Sequence, residues 1–418
     1  MATGDSKTKW QSSILPLQVL NGTSNFFSIG YEGKKTEKEI LNSSKELKEQ
    51  FITYLLENYK EKYSLKKLYF SDNLIVLSNL LQDDKVKGKV RLIYIDPPYG
   101  TNSVFMTKDQ KGAYTDLLTG AAYLEFMRER LILLRELLAD DGSIYVHLDN
   151  NTIFEVKLIL DEVFGAKNFR NFITRKKCNS KNYTRKTYGN VSDYILFYTK
   201  SDNYVWNRPF EEWDEDKILK EYPCVEKETS RRFKKVPIHA PGTRNGETGK
   251  MWRNMMPPKG KHWQYTPEKL DELDRKNEIY WSPTGNPRRK VYLDLSEGIP
   301  IQDIWLDYLD AYNQNIRVTG YPTEKNLSLL QRIIETSSNK GDLVLDCFCG
   351  SGTTLVAADM LSREWIGIDS SSLAIDTIIQ RLKEEWIFDF ETLITEQDKT
   401  NKKFAQHSIY EKEVEALN

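Results

Sequence analysis

The sequence predicts a doubly wound α/β protein whose sheet is interrupted by a long irregular insert. Three observations carry that prediction. Short β-prone apolar runs alternate with amphipathic helical periods over about 66–200 and again over 313–385. That rhythm breaks between about 201 and 312, where turn-rich basic sequence is punctuated by Trp206, Trp213, Trp252, Trp263 and Trp281. Two of the apolar runs end in unusual polar turns, Asp96-Pro97-Pro98-Tyr99 and Asp346-Cys347-Phe348-Cys349-Gly350-Ser351-Gly352.

Composition sets the frame. A chain of 418 residues is long enough for two or three domains. Its formal charge of -1 excludes a uniformly basic nucleic-acid coat. The charge is unevenly placed, however: Ala166 to His262 holds 22 Lys and Arg against 11 Asp and Glu. Such asymmetry points to a polyanionic partner. Cys178, Cys224, Cys347 and Cys349 show no metal-knuckle spacing and read as reduced thiols of a cytoplasmic protein. Met1 to Ser13 is polar, without a signal-like apolar region, and no run is long enough for a membrane helix.

In chain order, 1–65 reads as an N-terminal extension. Within it Thr36 to Lys62 reads as a helix with Ile40, Leu47, Phe51, Tyr54 and Leu55 near one face. Leu68 to Phe70 is a strand, and Leu74 to Leu81 a helix that Asp72 or Asn73 caps. Leu92 to Ile95 is a buried strand that Pro97 ends, since proline cannot donate to a ladder. Asp96 then stands at the carboxyl edge, where open α/β sheets hold ligands. Its carboxylate, the Pro97 carbonyl and the Tyr99 ring, stiffened by Pro98, suit a planar ligand bearing an amino group. Ala121 to Ala139 is an amphipathic helix that Asp140-Asp141-Gly142 ends. Ser143 to Leu148 is a strand, Asn151 to Phe164 a helix, and Asn171 to Thr174 and Tyr194 to Thr199 are strands. His147 at a strand end reads as structural.

The insert, 201–312, is assigned as a recognition domain with one clear helix, Thr266 to Asp274, started by threonine and proline. Its phosphate-contact candidates are Arg231, Arg232, Lys234, Lys235, Arg244, Lys250 and Arg253, together with Arg175, Lys176 and Lys177 just upstream. Pro223-Cys224 lacks the partners of a cytosine C5 nucleophile. After the insert, Asn326 to Thr336 is a helix, Leu343 to Asp346 a strand and Thr353 to Leu361 a helix. Gly350 and Gly352 make the tight turn between the last two, and Asp369 ends the next strand, about 20 residues on, where ribose hydroxyls bind in nucleoside-binding folds. No P-loop lysine follows the turn. Residues 386–418 read as a tail.

Asp96-Pro97-Pro98-Tyr99 upstream, Phe348-Cys349-Gly350-Ser351-Gly352 downstream and a basic insert between them resemble the DNA amino-methyltransferases of the β motif order, over roughly 66–385. The resemblance implies a circularly permuted S-adenosylmethionine-dependent methyltransferase fold, catalytic half (66–200) before cofactor half (313–385). It implies that Phe348, Gly350 and Gly352, with the bordering Asp346 and Thr353, line the S-adenosylmethionine site. It also implies Asp369 for the ribose, Asp72 near the adenine, and Thr323 to Lys325 near the methionine end. Asp96, Pro97, Pro98 and Tyr99 would be catalytic, with no metal and no covalent intermediate. The expected substrate is adenine N6 in duplex DNA, with cytosine N4 as the alternative. An RNA methyltransferase or an idle DNA-binding subunit ranks lower. A cognate restriction endonuclease and a second copy of the chain are further candidate partners. Cys347 replaces the family's usual proline and Thr174 an aromatic wall of the base pocket.

Overall fold

A computed structural model of the chain describes residues 28–47, 49–54, 65–99, 103–106, 112–116, 119–180, 186–310, 319–321 and 324–395. The chain divides into two units, Met1–Val205 with Leu306–Asn418, and Trp206–Trp305.

The larger unit is built on one mixed sheet. Its strands are β1 (Phe51–Tyr54), β2 (Lys67–Phe70), β3 (Val90–Ile95), β4 (Leu138–Leu148), β5 (Phe169–Lys176), β6 (Ser192–Thr199), β7 (Leu343–Asp346), β8 (Glu364–Asp369) and β9 (Glu391–Thr395). They lie side by side in the order β1-β9-β2-β8-β7-β3-β4-β6-β5. The six from β9 to β4 run parallel. The β1–β9, β4–β6 and β5–β6 pairs are antiparallel. The late strand β7 therefore pairs with the early strand β3, which brings the two halves of the chain into one sheet. Helices α1 (Glu37–Glu46), α2 (Asn73–Leu80), α3 (Gly120–Leu137), α4 (Ile153–Leu160), α5 (Leu327–Ser337), α6 (Thr353–Met360) and α7 (Ser372–Glu384) accompany the strands. The central strands are mostly apolar, as parallel strands covered on both faces must be, with their charged residues mainly at the ends or in the bulge. Val90, Leu92, Ile93 and Ile95 are fully buried, as are Val344 and Leu345.

Four expectations are corrected. The helix read over Thr36–Lys62 stops at Glu46, and Phe51–Tyr54 is strand β1; 55–64 lie outside the described residues. Phe-Ile-Thr-Tyr is rich in β-branched and aromatic side chains, and its partner β9 is more than 300 residues away, beyond any local pattern. The expected C-terminal tail supplies β9, which sits between β1 and β2. The turn at Asp140–Gly142 lies within β4: Val90 pairs Leu138 and Leu92 pairs Ser143, so the intervening residues bulge out. Finally, the insert is ordered rather than irregular.

That smaller unit carries a four-stranded antiparallel sheet, Cys224–Val225, Arg232–Pro237, Pro287–Tyr292 and Ile279–Trp281 in spatial order. Its core joins Ile238, Trp252, Trp263, Leu270, Leu273 and Ile279. The helix Pro267–Arg275 contributes the two leucines, and Thr266 caps it by accepting from Lys269 N. Residues 201–205, expected in the insert, hold the larger unit instead: Ser201 Oγ donates to the Asp140 carbonyl and Val205 N to that of Asp141. No helix among the described residues is long and apolar enough to cross a membrane.

Candidate active site

Adjacent parallel strands each deliver an aspartate at or just past their carboxyl ends: Asp72 after β2, Asp369 on β8, Asp346 on β7, Asp96 after β3 and Asp149 after β4. This edge is where an α/β sheet binds ligands.

Asp96 leaves β3 directly into Pro97 and Pro98, whose rings fix φ and end the ladder. Both oxygens of its carboxylate are engaged. The Tyr99 hydroxyl donates to Oδ1 at 2.6 Å, and Lys325 Nζ stands 2.8 Å from Oδ2. Lys325 Nζ also donates to the Tyr99 hydroxyl at 3.3 Å. Burial pushes the Tyr99 phenol well up, and the neighbouring Asp96 charge adds to that. Each carboxylate oxygen has a second lone pair, so Asp96 can still accept from a ligand amine.

A buried polar chain underlies this corner. Tyr94, two residues before Asp96, meets His147 Nδ1 at 2.8 Å. His147 Nε2 and Arg175 Nη1 both approach Asp193 Oδ2, at 3.0 and 2.9 Å. Arg175 then donates to the Tyr308 carbonyl and to Asp310. Burial alone would raise the Asp193 carboxyl, but His147 and Arg175 outweigh it and hold that carboxyl far below the usual range. His147 is thus structural, tying β3 to β4 and β6. Arg175 is a correction: expected on DNA, it is fully buried, and a guanidinium with three internal partners is not available to a phosphate.

The glycine turn lies one strand away. Gly350 (φ +50°) donates its N–H to Asp369 Oδ2 at 2.9 Å. Gly352 adopts φ +75°, and a Cβ there would lie 2.8 Å from Ile378 Cγ1. Only glycine fits both demands. Asp369 also accepts from Ser371 N, and burial pushes its carboxyl up to about 6. Asp346 accepts from Phe348 N and the Thr354 hydroxyl, bracing the turn, and burial foremost pushes it up to about 7. Thr353, buried at the start of α6, shares its hydroxyl with Ser351 and Arg381.

Asp72 caps α2 by accepting from Leu74 N on Oδ1 at 2.7 Å, and Arg130 Nη2 donates to the same oxygen at 3.3 Å. Asn73 beside it donates to the Cys347 carbonyl, while Phe126 and Phe348 stand 6.1 Å apart. A strand-end acid for hydroxyls, flanking aromatic rings, an exposed Asp72 and a tight two-glycine turn suit a nucleoside with a charged tail. These residues fit S-adenosylmethionine as the resemblance implied. Thr323 lies outside the described residues.

Most of the other basic candidates already have partners. Arg231 pairs with Asp294 at 2.9 Å, Lys234 with Glu221 at 3.5 Å, Lys250 with Glu247, and Arg253 with Asp271 and Asp274. Arg232 donates to the Tyr222 carbonyl, and Lys235 lies over the Tyr280 ring. Arg244 is exposed. Lys176 ends β5, and the Lys177 amide bonds to the Val191 carbonyl. Sequence reasoning missed the Lys325–Asp96 pair and Asp193. The first joins residues 229 positions apart (325 − 96), and no sequence signal marked either.

A family model described as DNA methylase matches residues 90–380. The type II methyltransferase M.EcaI of Enterobacter cloacae is 49% identical over 357 residues, spanning 85% of this chain and 77% of that protein. The StyLTI Mod subunit of a type III restriction-modification enzyme of Salmonella typhimurium is 29% identical over 335 residues; these are 70% of this chain and 49%, about half, of that subunit. Among solved structures, an M1.HpyAVI–SAM complex matches with a TM-score of 0.39 at 18% identity, over 76% of this chain and 99% of that one.

Proposed function

Because the chain belongs to the DNA methylase family, as a methyltransferase of the restriction-modification type, we propose that it makes N6-methyladenine in duplex DNA with S-adenosylmethionine as methyl donor. The observation that carries the reading is the Asp96-Pro97-Pro98-Tyr99 corner, with its carboxylate held at a sheet edge beside a glycine turn. In the family this sequence resembles, aspartate at the first of these positions accompanies adenine N6, and serine more often accompanies cytosine N4.

The residue types supply the mechanism. An aromatic amine is a poor nucleophile because its lone pair is delocalised into the ring. Asp96 and the Pro97 carbonyl accept its two N–H bonds, so the nitrogen pyramidalises and its lone pair is directed outward. The cofactor, when bound, supplies a methyl group on a sulfonium whose departure leaves a neutral thioether. The protein's tasks are therefore positioning and stabilising positive charge that develops on nitrogen. Tyr99 offers its ring face to the base and its hydroxyl to Asp96, which couples stacking to the orientation of the acceptor. An amino group inside a stacked duplex is out of reach, so the adenine is flipped out. Asp369 would hold the ribose hydroxyls, Asp72 would face the cofactor's adenine, and Phe348, Gly350 and Gly352 would line the site between them. The insert reads the sequence, and the enzyme works in the cytoplasm.

The test is to incubate DNA with a radioactive methyl donor, digest it to nucleosides and separate them. Label in N6-methyl-2′-deoxyadenosine from duplex DNA is expected. Label in N4-methylcytosine overturns the base assignment, and label only in RNA overturns the substrate class.

A further inference from the structure

The basic residues of the insert fall into two sets that composition cannot distinguish. Arg231, Lys234, Lys250 and Arg253 are each matched by a carboxylate of the same unit. A second set has no such match. The strand Pro287–Tyr292 lies between Arg232–Pro237 and Ile279–Trp281, and Arg288 stands directly opposite Pro237 on one side and Tyr280 on the other. Paired residues point to the same face, so Arg288 and Tyr280 share it with Lys235, two positions from Pro237. Lys235 reaches across to place its ammonium 3.7 Å from the centroid of the Tyr280 ring.

The two ends of this face differ. At one end Phe233 and Tyr292 are buried, and Lys290 is neutralised by Glu226 at 2.7 Å. At the other, Arg288 is exposed, and among the described residues neither Arg288 nor Lys235 meets a carboxylate. The chain then runs from Pro237 through buried Ile238 into a hairpin that pairs His239 with Trp263 and Pro241 with Lys261. Lys261 is exposed and likewise unmatched by a described carboxylate. His239 stands two residues beyond Pro237, the partner of Arg288, and two before Pro241, the partner of Lys261; burial foremost, then these two charges, lowers its basicity. Like charges gathered around aromatic rings destabilise the free protein, and a polyanion relieves that repulsion.

Resting on the DNA reading above, we propose that the insert contacts DNA through this open end of its sheet, with Arg288, Lys261 and Lys235 on phosphates or base edges and Tyr280 and His239 beside them. The paired cations Arg231 and Arg253 hold the insert together instead. Unpaired cations displace condensed counterions from DNA without first losing a partner, so they set the salt dependence. A guanidinium on a rigid strand also presents the fork that reads guanine.

The experiment uses the full chain and fluorescence anisotropy with a short mixed-sequence DNA duplex across a salt series. Replacing both residues, Arg288→Ala with Lys261→Ala, is expected to weaken binding and flatten the slope of log affinity against log salt by about 1.8, at about 0.9 per contact. The pair Arg231→Ala with Arg253→Ala is expected to change the slope less. Near-ultraviolet circular dichroism of the insert's own packed tryptophans, Trp252, Trp263 and Trp281, checks that each variant is folded. A folded Arg288/Lys261 variant with an unchanged slope, or an Arg231/Arg253 variant with the larger loss, overturns the assignment. A wild-type chain without salt-dependent duplex affinity overturns the DNA reading itself, so the two failures are distinguishable.

Discussion

Asp96 and its neighbours Asp346 and Asp369 occupy the same kind of position, the carboxyl end of a parallel strand, yet their surroundings differ. Asp96 has an ammonium at 2.8 Å and a phenol at 2.6 Å. Among the described residues, Asp346 and Asp369 accept from neutral donors, backbone amides and one threonine hydroxyl, and no ion pair joins them to a cation. Burial accordingly raises both carboxyls, Asp346 to about 7 and Asp369 to about 6. Lone pairs held by an ammonium and a phenol beside the reacting amine are useful because positive charge develops there. Carboxyls that brace a turn or meet ribose hydroxyls need only acceptor lone pairs. Neighbouring strand ends thus perform different tasks through their partners rather than through residue identity.

The largest effect should come from Asp96. Asp96→Ala removes an acceptor aimed at charge that appears only in the transition state, so single-turnover methylation should fall at least about a hundredfold. DNA affinity should hardly change, because phosphate contacts supply most of it. Near-normal turnover by a folded Asp96→Ala protein would falsify the mechanism and erase the distinction between the strand ends.

Asp369→Ala should act on binding instead. Each lost hydrogen bond to a charged acceptor is worth about 1.5–3 kcal/mol, which means tenfold or more in cofactor affinity by calorimetry. The chemical step at saturating cofactor should be much less affected. A variant that binds S-adenosylmethionine normally but turns over slowly would reverse the roles assigned to Asp96 and Asp369.

Much of this site was legible because its signals are local. A strand running into two prolines fixed where Asp96 stands, and a glycine turn followed about 20 residues later by a strand-end acid located Asp369. What remained hidden depends on distant partners. Phe51–Tyr54 shows its strand character only once Glu391–Thr395 lies beside it. The resemblance implies Lys325 near the methionine end of the cofactor, while its ammonium lies against Asp96. Arg175 sits beside Lys176 and Lys177 in a run that reads as a basic surface. Strand alternation nevertheless turns it inward onto Asp193 and Asp310. Pairing among charges is likewise invisible to a count: Arg231, Lys250 and Arg253 each meet a carboxylate of the same unit.

The smallest effect concerns Asp346 and appears in stability rather than rate. Its carboxyl ordinarily titrates at 3.8 and is pushed up to about 7 in the fold, mainly by burial, with nearby Asp96 and Asp369 adding to it. Below about 3.8 the group is protonated in both folded and unfolded chains and contributes nothing. Between 3.8 and about 7 the unfolded chain releases the proton while the folded one keeps it. The folded state then binds more protons, and stability falls as pH rises through that window. Above it the cost of the buried charge is constant. Asp346→Asn mimics the protonated acid: its amide oxygen can accept from Phe348 N, and its NH2 can donate to the Thr354 hydroxyl. Thermal melts of the two proteins should therefore coincide at the acid end of the window, with the variant ahead by a few degrees at its upper end. Other titrating groups, Asp193 among them, are common to both chains and cancel in the difference. A gap that is flat across the window, or that widens toward acid, would mean that Asp346 carries its charge in the fold at no cost and that the contrast with Asp96 is only one of geometry.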